Sequence, residues 1–165
     1  MLTETQLSAL QTMAAAAVAA ERATGCTAEL STAQCIVESS WLTVCPGNNC
    51  FGIKATDTNC TYCLTKEYLN GEWSSPTLAF EAYPALSDCF AAHARLLQGG
   101  VYAAAWAAYQ ETRVDDTDTG LHALDSYITA ISKHYATDPD YASKIITLAH
   151  GPHVTAAIAA ARGQA

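Results

Sequence analysis

The sequence predicts an α+β fold that is mostly helical, with a small β-hairpin lobe inserted after the second helix. Alanine, a strong helix former, is the most abundant residue type in the 165-residue chain. Apolar residues recur at helical spacing before residue 42 and again after Pro84. Between these regions, Asn70-Gly71 stands among strand-forming residues, and this dipeptide is the strongest short hairpin signal.

The first part of the chain predicts two helices, over residues 4–22 and 29–41, separated by a break at Thr24-Gly25. Trp41 is the last residue of the apolar face of the second predicted helix. From 42 to 60 the chain is rich in proline, glycine and asparagine, which predicts a loop.

Residues 61–69 and 73–83 are expected to form the two strands of the hairpin, since threonine and tyrosine favour strands. Beyond Pro84 the pattern is helical again, and Asp138-Pro139 is typical of a helix start. The expected helices cover 86–98, 101–110, 118–133, 138–149 and 153–162.

Length and charge indicate one domain over residues 1–165 and exclude several classes of partner. Sixteen acidic and eight basic residues give a net charge of -8, which argues against nucleic acid and against an anionic membrane surface. No apolar run reaches the roughly 18–20 residues that span a bilayer, and no signal peptide is expected. We expect a monomer without a membrane or nucleic-acid partner.

Seven cysteines are a high number for this length, and an odd number cannot all pair within one chain. Disulfides, buried thiols and a zinc site all remain open at this point. The zinc alternative would use Cys45, Cys50, Cys60 and Cys63, although only one CxxC pair is present.

Glu38 is the first candidate for chemistry, because it lies at the end of the second predicted helix beside its apolar face. Partial desolvation there raises a carboxyl pKa, and a carboxyl that keeps its proton can act as a general acid. Glu67, on the first hairpin strand, could face it across a cleft, as glycoside hydrolysis requires. The plainer alternative for both residues is a solvated surface glutamate.

Several aromatic residues could line a sugar site, although each is more often part of a core; they are Trp41, Phe51, Tyr62, Tyr68, Tyr83 and Tyr135. The five histidines show no metal-binding spacing, and no phosphate-binding glycine loop is present. We therefore expect neither a metal nor a cofactor.

An ordered set of motifs then covers about 120 of the 165 residues. They are Ala33-Gln34, Glu38-Ser39 and Trp41; Asn48-Asn49 and Phe51-Gly52-Ile53-Lys54; Thr65-Lys66-Glu67-Tyr68; Phe80 and Tyr83; Asp88, His93, Leu96 and Leu97; and Tyr135 to Lys144. This set resembles glycoside hydrolase family 73, the bacterial glucosaminidase family that includes flagellar and autolysin peptidoglycan hydrolases.

The resemblance implies a lysozyme-like helical fold with a β-lobe, and hydrolysis of the β-1,4 bond after N-acetylglucosamine in peptidoglycan. It makes Glu38 the general acid, Glu67 the second carboxylate and Tyr135 a tyrosine close to the acid. The second carboxylate would activate water or stabilise positive charge, or the acetamido group of the substrate would assist instead.

The same resemblance suggests further residues that shape the groove or contact the glycan strand; they are Asn48, Asn49, Phe51, Trp41 and Tyr68. Action would be at the cell wall, in an extracellular or periplasmic location. Two alternatives stay open: a muramidase or lytic transglycosylase on the same type of fold, and a non-catalytic or zinc-stabilised wall-binding module.

Two departures from the family pattern bear on structure. Leu42 stands where the family usually has glycine after the tryptophan. The following loop is shorter and carries Cys45 and Cys50, so that a crosslink could replace the longer loop. A bridge between Cys60 and Cys63 could likewise hold the strand that presents Glu67.

Overall fold

The structure of the protein is a computed structural model. It describes the backbone of residues 1–56, 58–64, 67–69, 72–115 and 121–164, and side chains within these ranges except those of 67–69, 72–74, 114, 115 and 121. None of the helices within these ranges is long and apolar enough to cross a membrane.

The described residues form seven α-helices, and the α+β class predicted from the sequence is confirmed. They are α1 (Glu4–Thr24), α2 (Ala28–Glu38), α3 (Leu86–Gln98), α4 (Ala103–Asp115), α5 (Leu121–Tyr135), α6 (Tyr141–Ala149) and α7 (Pro152–Gly163). The α3 bounds match the expected ones, whereas α6 begins at Tyr141, two residues after Pro139.

Helix α1 is delimited by two local signals. The Thr3 hydroxyl oxygen accepts a hydrogen bond from the backbone amide of Gln6, and Gln6 Oε1 accepts one from the backbone amide of Thr3, which is a capping box. At the other end Gly25 takes a left-handed conformation (φ 77°), which glycine adopts without steric cost. The buried face of α1 then packs against α2, α3 and α7.

The described part of the lobe contains four short strands: β1 (Cys60–Leu64), β2 (Glu67–Leu69), β3 (Glu72–Ser74) and β4 (Thr77–Glu81). β1 pairs antiparallel with β4, and β2 pairs antiparallel with β3. The two pairs continue a single register. Seven residues along each strand from the Cys60–Glu81 pair lies the Glu67–Ser74 pair. The two predicted strands are therefore present as one interrupted hairpin, and its predicted Asn70-Gly71 turn lies outside the described residues.

Helix α2 is the central element of the helical body. Leu30 and Ala33 are fully buried in a cluster with α3, α5 and α6, whereas Cys35 and Ile36 belong to a second cluster built around α1. Because both faces of the helix are covered, its position is fixed by packing on two sides. Its last residue, Glu38, is thereby held at the edge of the body.

The predicted extent of α2 is wrong at its C-terminal end, because the helix stops at Glu38 rather than at residue 41. Ser40, Trp41 and Leu42 have φ values of 49°, 63° and 63°, which makes a left-handed turn. The Ser39 hydroxyl stabilises this turn, donating to the Cys35 carbonyl (2.6 Å) and accepting from the Leu42 amide (2.9 Å). Side-chain bonds of this kind compete with helical continuation.

The cysteines follow two of the predicted alternatives, a disulfide and buried free thiols, the latter at Cys26, Cys35 and Cys89. Cys45 and Cys50 form a disulfide, so two of the four thiolates that a zinc site would need are not available. The suggested Cys60–Cys63 bridge is wrong: both thiols are free. Residues three apart in a strand point to opposite faces of the sheet, which keeps the two sulfur atoms apart.

Candidate active site

A groove of about 180 Å³ lies between the helical body and the lobe, with Glu38 in its wall. The body contributes the end of α2, and the lobe contributes residues of β1 and β4. The other lining residues are Val44, Pro46, Asn49, Cys50, Gly52, Cys63, Leu64 and Phe80. The wall is therefore mostly apolar around one carboxyl group.

Two consecutive hydrogen bonds hold the Glu38 carboxyl on the side that faces the helical body. The Tyr141 hydroxyl, on α6, donates to Glu38 Oε1 at 2.7 Å. Gln34, one helical turn before Glu38 on α2, donates from Nε2 to the same hydroxyl oxygen at 3.2 Å. Gln34 is fully buried, and its Oε1 has no partner among the described residues.

Two opposing effects set the acidity of Glu38. Desolvation raises its pKa above the ordinary value, and the Tyr141 hydrogen bond lowers it by favouring the carboxylate; the net direction is upward. Glu38 is nevertheless exposed by surface area, because the groove is open to solvent on one side. The carboxyl is thus partly desolvated and still reachable, the combination a general acid needs.

Tyr135, predicted to lie close to the acid, stacks on Tyr141 with ring centroids 5.5 Å apart. Its hydroxyl lies 3.3 Å from Nε2 of His93 on α3 rather than on Glu38. Burial raises the Tyr135 pKa well above its usual value and lowers that of His93 to about 3. Both groups are therefore neutral near pH 7.

Phe51 lies beneath the site rather than in the groove wall. Its ring stacks on His93 with centroids 3.7 Å apart and meets Phe90 edge to face at 5.0 Å. The loop that carries Phe51 is thereby anchored on α3.

The predicted Asn48-Asn49 turn joins the helical body to the lobe. Asn48 Nδ2 donates to the Tyr83 carbonyl (2.8 Å), and Asn49 Nδ2 donates to the carbonyls of Ile53 (2.8 Å) and Glu81 (3.0 Å). Gly47 (φ 59°) lies so close to the lobe that a Cβ there would come within 2.7 Å of the Thr61 hydroxyl. These contacts fix the distance between the two groove walls.

Three other predicted site residues lie elsewhere or cannot be placed. Trp41 borders a different depression, beside α1, and packs against the core. Glu67 and Tyr68 belong to β2, but their side chains lie outside the described residues. In the described part of the chain no group of three or more histidine, cysteine or acidic side chains could hold a metal ion.

Sequence reasoning did not select Gln34 or Tyr141, although both stand inside the quoted motifs. Gln34 and Glu38 are four residues apart on one helix and therefore share a face, which is a readable signal. Tyr141 is 103 residues from Glu38, and only the packing of α6 on α2 brings them together.

Comparison with known sequences decides the family. The profile of the glucosaminidase family, described as mannosyl-glycoprotein endo-β-N-acetylglucosaminidase, matches residues 14–152. The chain belongs to this family of glycoside hydrolases. The matched region includes α2, the groove, the lobe and Tyr141.

Relatives of this glucosaminidase domain include a probable N-acetylmuramidase from Lactococcus lactis subsp. cremoris, 32% identical over 147 residues, which are 82% of this chain and 31% of the relative. An autolysin from Enterococcus faecalis is 35% identical over 130 residues, 72% of this chain and 16% of the relative. The chain thus spans less than a third of the length of either.

Among solved structures, the catalytic domain of the autolysin Auto from Listeria monocytogenes superposes with a TM-score of 0.74 at 23% identity. The superposition covers 95% of this chain and 89% of that one. The fold of the glucosaminidase domain, helical body and lobe together, is therefore shared with that catalytic domain.

Proposed function

We propose that this domain hydrolyses the β-1,4 bond after N-acetylglucosamine in bacterial peptidoglycan, with Glu38 as the general acid. One observation carries the proposal: a carboxyl with a raised pKa stands in the groove between body and lobe, held by Tyr141. The relatives' names, autolysin and N-acetylmuramidase, support a cell-wall glycan as substrate. Action would accordingly be outside the membrane, at the wall.

In the proposed reaction Glu38 gives its proton to the glycosidic oxygen, the bond from that oxygen to the anomeric carbon breaks, and Glu38 becomes a carboxylate. The Tyr141 hydrogen bond then stabilises the new negative charge. Water then adds its hydroxyl group to the anomeric carbon and releases one proton, and Glu38 takes up a proton again before the next cycle. We assign Glu67, on β2 of the lobe, to the activation of this water or to stabilisation of the cationic centre, unless the substrate's acetamido group takes that part.

The apolar groove wall suits a sugar chain. Val44 and Leu64 are 60% and 73% exposed, so they offer apolar surface to the faces of pyranose rings and to acetyl methyl groups. We also assign binding or orienting roles to Tyr68, Trp41 and Tyr135. Tyr135 would act through its stacking on Tyr141. Asn48, Asn49 and Phe51 would contribute by fixing the groove's shape.

The relatives called N-acetylmuramidase favour a second candidate, cleavage after N-acetylmuramic acid. Digestion of purified sacculi, borohydride reduction and mass spectrometry of the muropeptides decide between them. Our proposal expects reduced N-acetylglucosamine at the new end. Reduced N-acetylmuramic acid would establish a muramidase, and a 1,6-anhydro end a lytic transglycosylase. Binding to sacculi with no new reducing ends would establish a wall-binding module instead.

A further inference from the structure

Given the acid role proposed for Glu38, we propose that Gln34 is its positioning residue. The buried Gln34 amide donates to the Tyr141 hydroxyl, directs the tyrosine proton to Glu38 Oε1, and so reserves Oε2 for the proton that is transferred. Gln34 acts through Tyr141 and does not itself touch the substrate.

The number of hydrogen bonds that the Tyr141 hydroxyl can donate and accept determines where its proton goes. Tyr141 has one proton to donate and two lone pairs that accept. Gln34 Nε2 is a donor only, so its 3.2 Å contact uses a lone pair and the tyrosine proton must go elsewhere. Glu38 Oε1, at 2.7 Å, is the acceptor that takes it.

The consequence for Glu38 follows directly. When the carboxyl is protonated, Oε1 already accepts from Tyr141, so the acid proton belongs on Oε2. No hydrogen bond from the described residues reaches Oε2. After transfer of that proton to the glycosidic oxygen, the carboxylate keeps the same donor from Tyr141. The protonated and ionised forms thus use one unchanged hydrogen-bond arrangement.

The buried, unpartnered Oε1 of Gln34 indicates that the amide serves this donation rather than stability. An unsatisfied buried polar atom costs about 1–3 kcal/mol, and Gln34 carries one in the middle of the fold. With the amide turned over, Oε1 would compete with Glu38 for the single tyrosine proton, and the carboxylate would lose its donor.

Titratable side chains lie behind Glu38 and across the groove from it. The tyrosines and thiols behind it have pKa values raised by burial, to about 12 for Cys35 and about 11 for Cys89. Burial likewise raises the pKa of Tyr141, Tyr135 and Tyr102 and lowers that of His93 to about 3.

Cys63 faces Glu38 across the groove. Lys144, beside Val37 on the outer side of α6, is paired with Asp138.

The test replaces Gln34 by methionine, which keeps the volume and removes both the donor and the unpartnered oxygen. We expect an unchanged or higher melting temperature and a kcat on sacculi that is lower by about tenfold. We also expect the alkaline limb of the pH–activity profile, where activity falls as pH rises, to move to higher pH. The limb moves up because the freed Tyr141 hydroxyl can also accept from protonated Glu38, which favours that form.

A purely structural role for Gln34 would instead lower the melting temperature and leave the alkaline limb in place, and this result would overturn the proposal. The Tyr141→Phe background sharpens the test, since Gln34→Met should there cause no further shift of the limb. Gln110→Met is the matched control: Gln110 on α4 also has a buried unpartnered amide atom. It should leave kcat and the pH profile unchanged.

A titration that needs no activity separates this inference from the proposed function. NMR follows the signal of the Glu38 carboxyl carbon as pH is varied, and the loss of this signal in Glu38→Gln assigns it. The carboxyl should titrate at higher pH in Gln34→Met than in the wild type. An unmoved titration in a folded variant overturns the role of Gln34 even if sacculi are cleaved. If Gln34→Met does not fold, Gln34→Leu takes its place; it also removes the donor and should raise the pH at which Glu38 titrates, and an unmoved titration in the folded variant overturns the proposal.

Discussion

The two walls of the groove are built in different ways. The helical wall places Gln34, Tyr141 and Glu38 in one hydrogen-bonded chain, with Tyr135 and His93 packed behind it. The lobe wall presents apolar side chains such as Leu64, from a hairpin of short strands. In the proposed mechanism the helical wall holds the acid proton at one place, and the lobe wall provides apolar surface against which a polymer can lie.

The substitution with the largest expected effect changes Glu38, at the end of the helical wall. Glu38→Gln keeps the shape and the Tyr141 contact but has no transferable proton, so wall lysis should fall at least about a hundredfold, the scale of general acid catalysis. The measurement is turbidity loss of a sacculus suspension, with circular dichroism to show that the fold is retained. Activity within tenfold of wild type would remove Glu38 as the acid.

The two stacked tyrosines allow a matched comparison within the same wall. Tyr141→Phe removes the donor to Glu38, so the pKa of Glu38 rises further. Because the acid works when protonated, activity is present below this pKa and is lost as pH rises through it, so the alkaline limb should move to higher pH. We also expect kcat to fall about tenfold.

Tyr135→Phe is the control for that comparison, since the Tyr135 hydroxyl contacts His93 rather than Glu38. Its pH profile of kcat/KM should keep the wild-type alkaline limb. A shift equal to that of Tyr141→Phe would mean that the stack as a whole, and not the single hydrogen bond, sets the acidity of Glu38.

The loop that joins the two walls can be loosened separately. Reduction of the Cys45–Cys50 disulfide, or the double change to serine, should lower the free energy of unfolding by about 2 kcal/mol, the loop-closure entropy of so short a loop. Activity should fall as well, because Cys50 and its neighbours line the groove. Thermal melting with and without reductant measures the first effect.

The free thiols of the lobe supply the control for this experiment. In the double variant Cys60→Ser, Cys63→Ser the same reductant should lower the melting temperature as much as in the wild type, since neither residue is in a disulfide. Loss of the reductant effect in that variant would show that a bridge within β1 exists in solution.

The smallest expected effect concerns the turn that ends α2. Ser40 is exposed and has a φ of 49°, a conformation that costs a non-glycine residue about 1 kcal/mol or more. Ser40→Gly should therefore stabilise the protein by about 1 kcal/mol, whereas Ser40→Ala keeps the strain and should be nearly neutral. Urea unfolding measures both; equal values would show that the turn is relaxed in solution.

Much of the fold could be predicted from the sequence, because it depends on local signals. The bounds of α3 follow from helical periodicity after Pro84, and the lobe follows from strand-forming residues around Asn70-Gly71. The end of α2 could not be predicted in this way. Periodicity continues to Trp41, but the Ser39 hydroxyl and the packing of Trp41 beside α1 favour a left-handed turn instead.

By itself, the sequence determined the family, the helical body with its hairpin, and Glu38 as the candidate acid, since each is encoded in contiguous motifs or in periodicity. Only the tertiary structure decided that Cys45 pairs with Cys50. It also decided that Tyr141, rather than Tyr135, reaches the carboxyl. Such contacts join residues up to 107 positions apart, as between Gln34 and Tyr141. They depend on how helices pack, and no local pattern of residues specifies that.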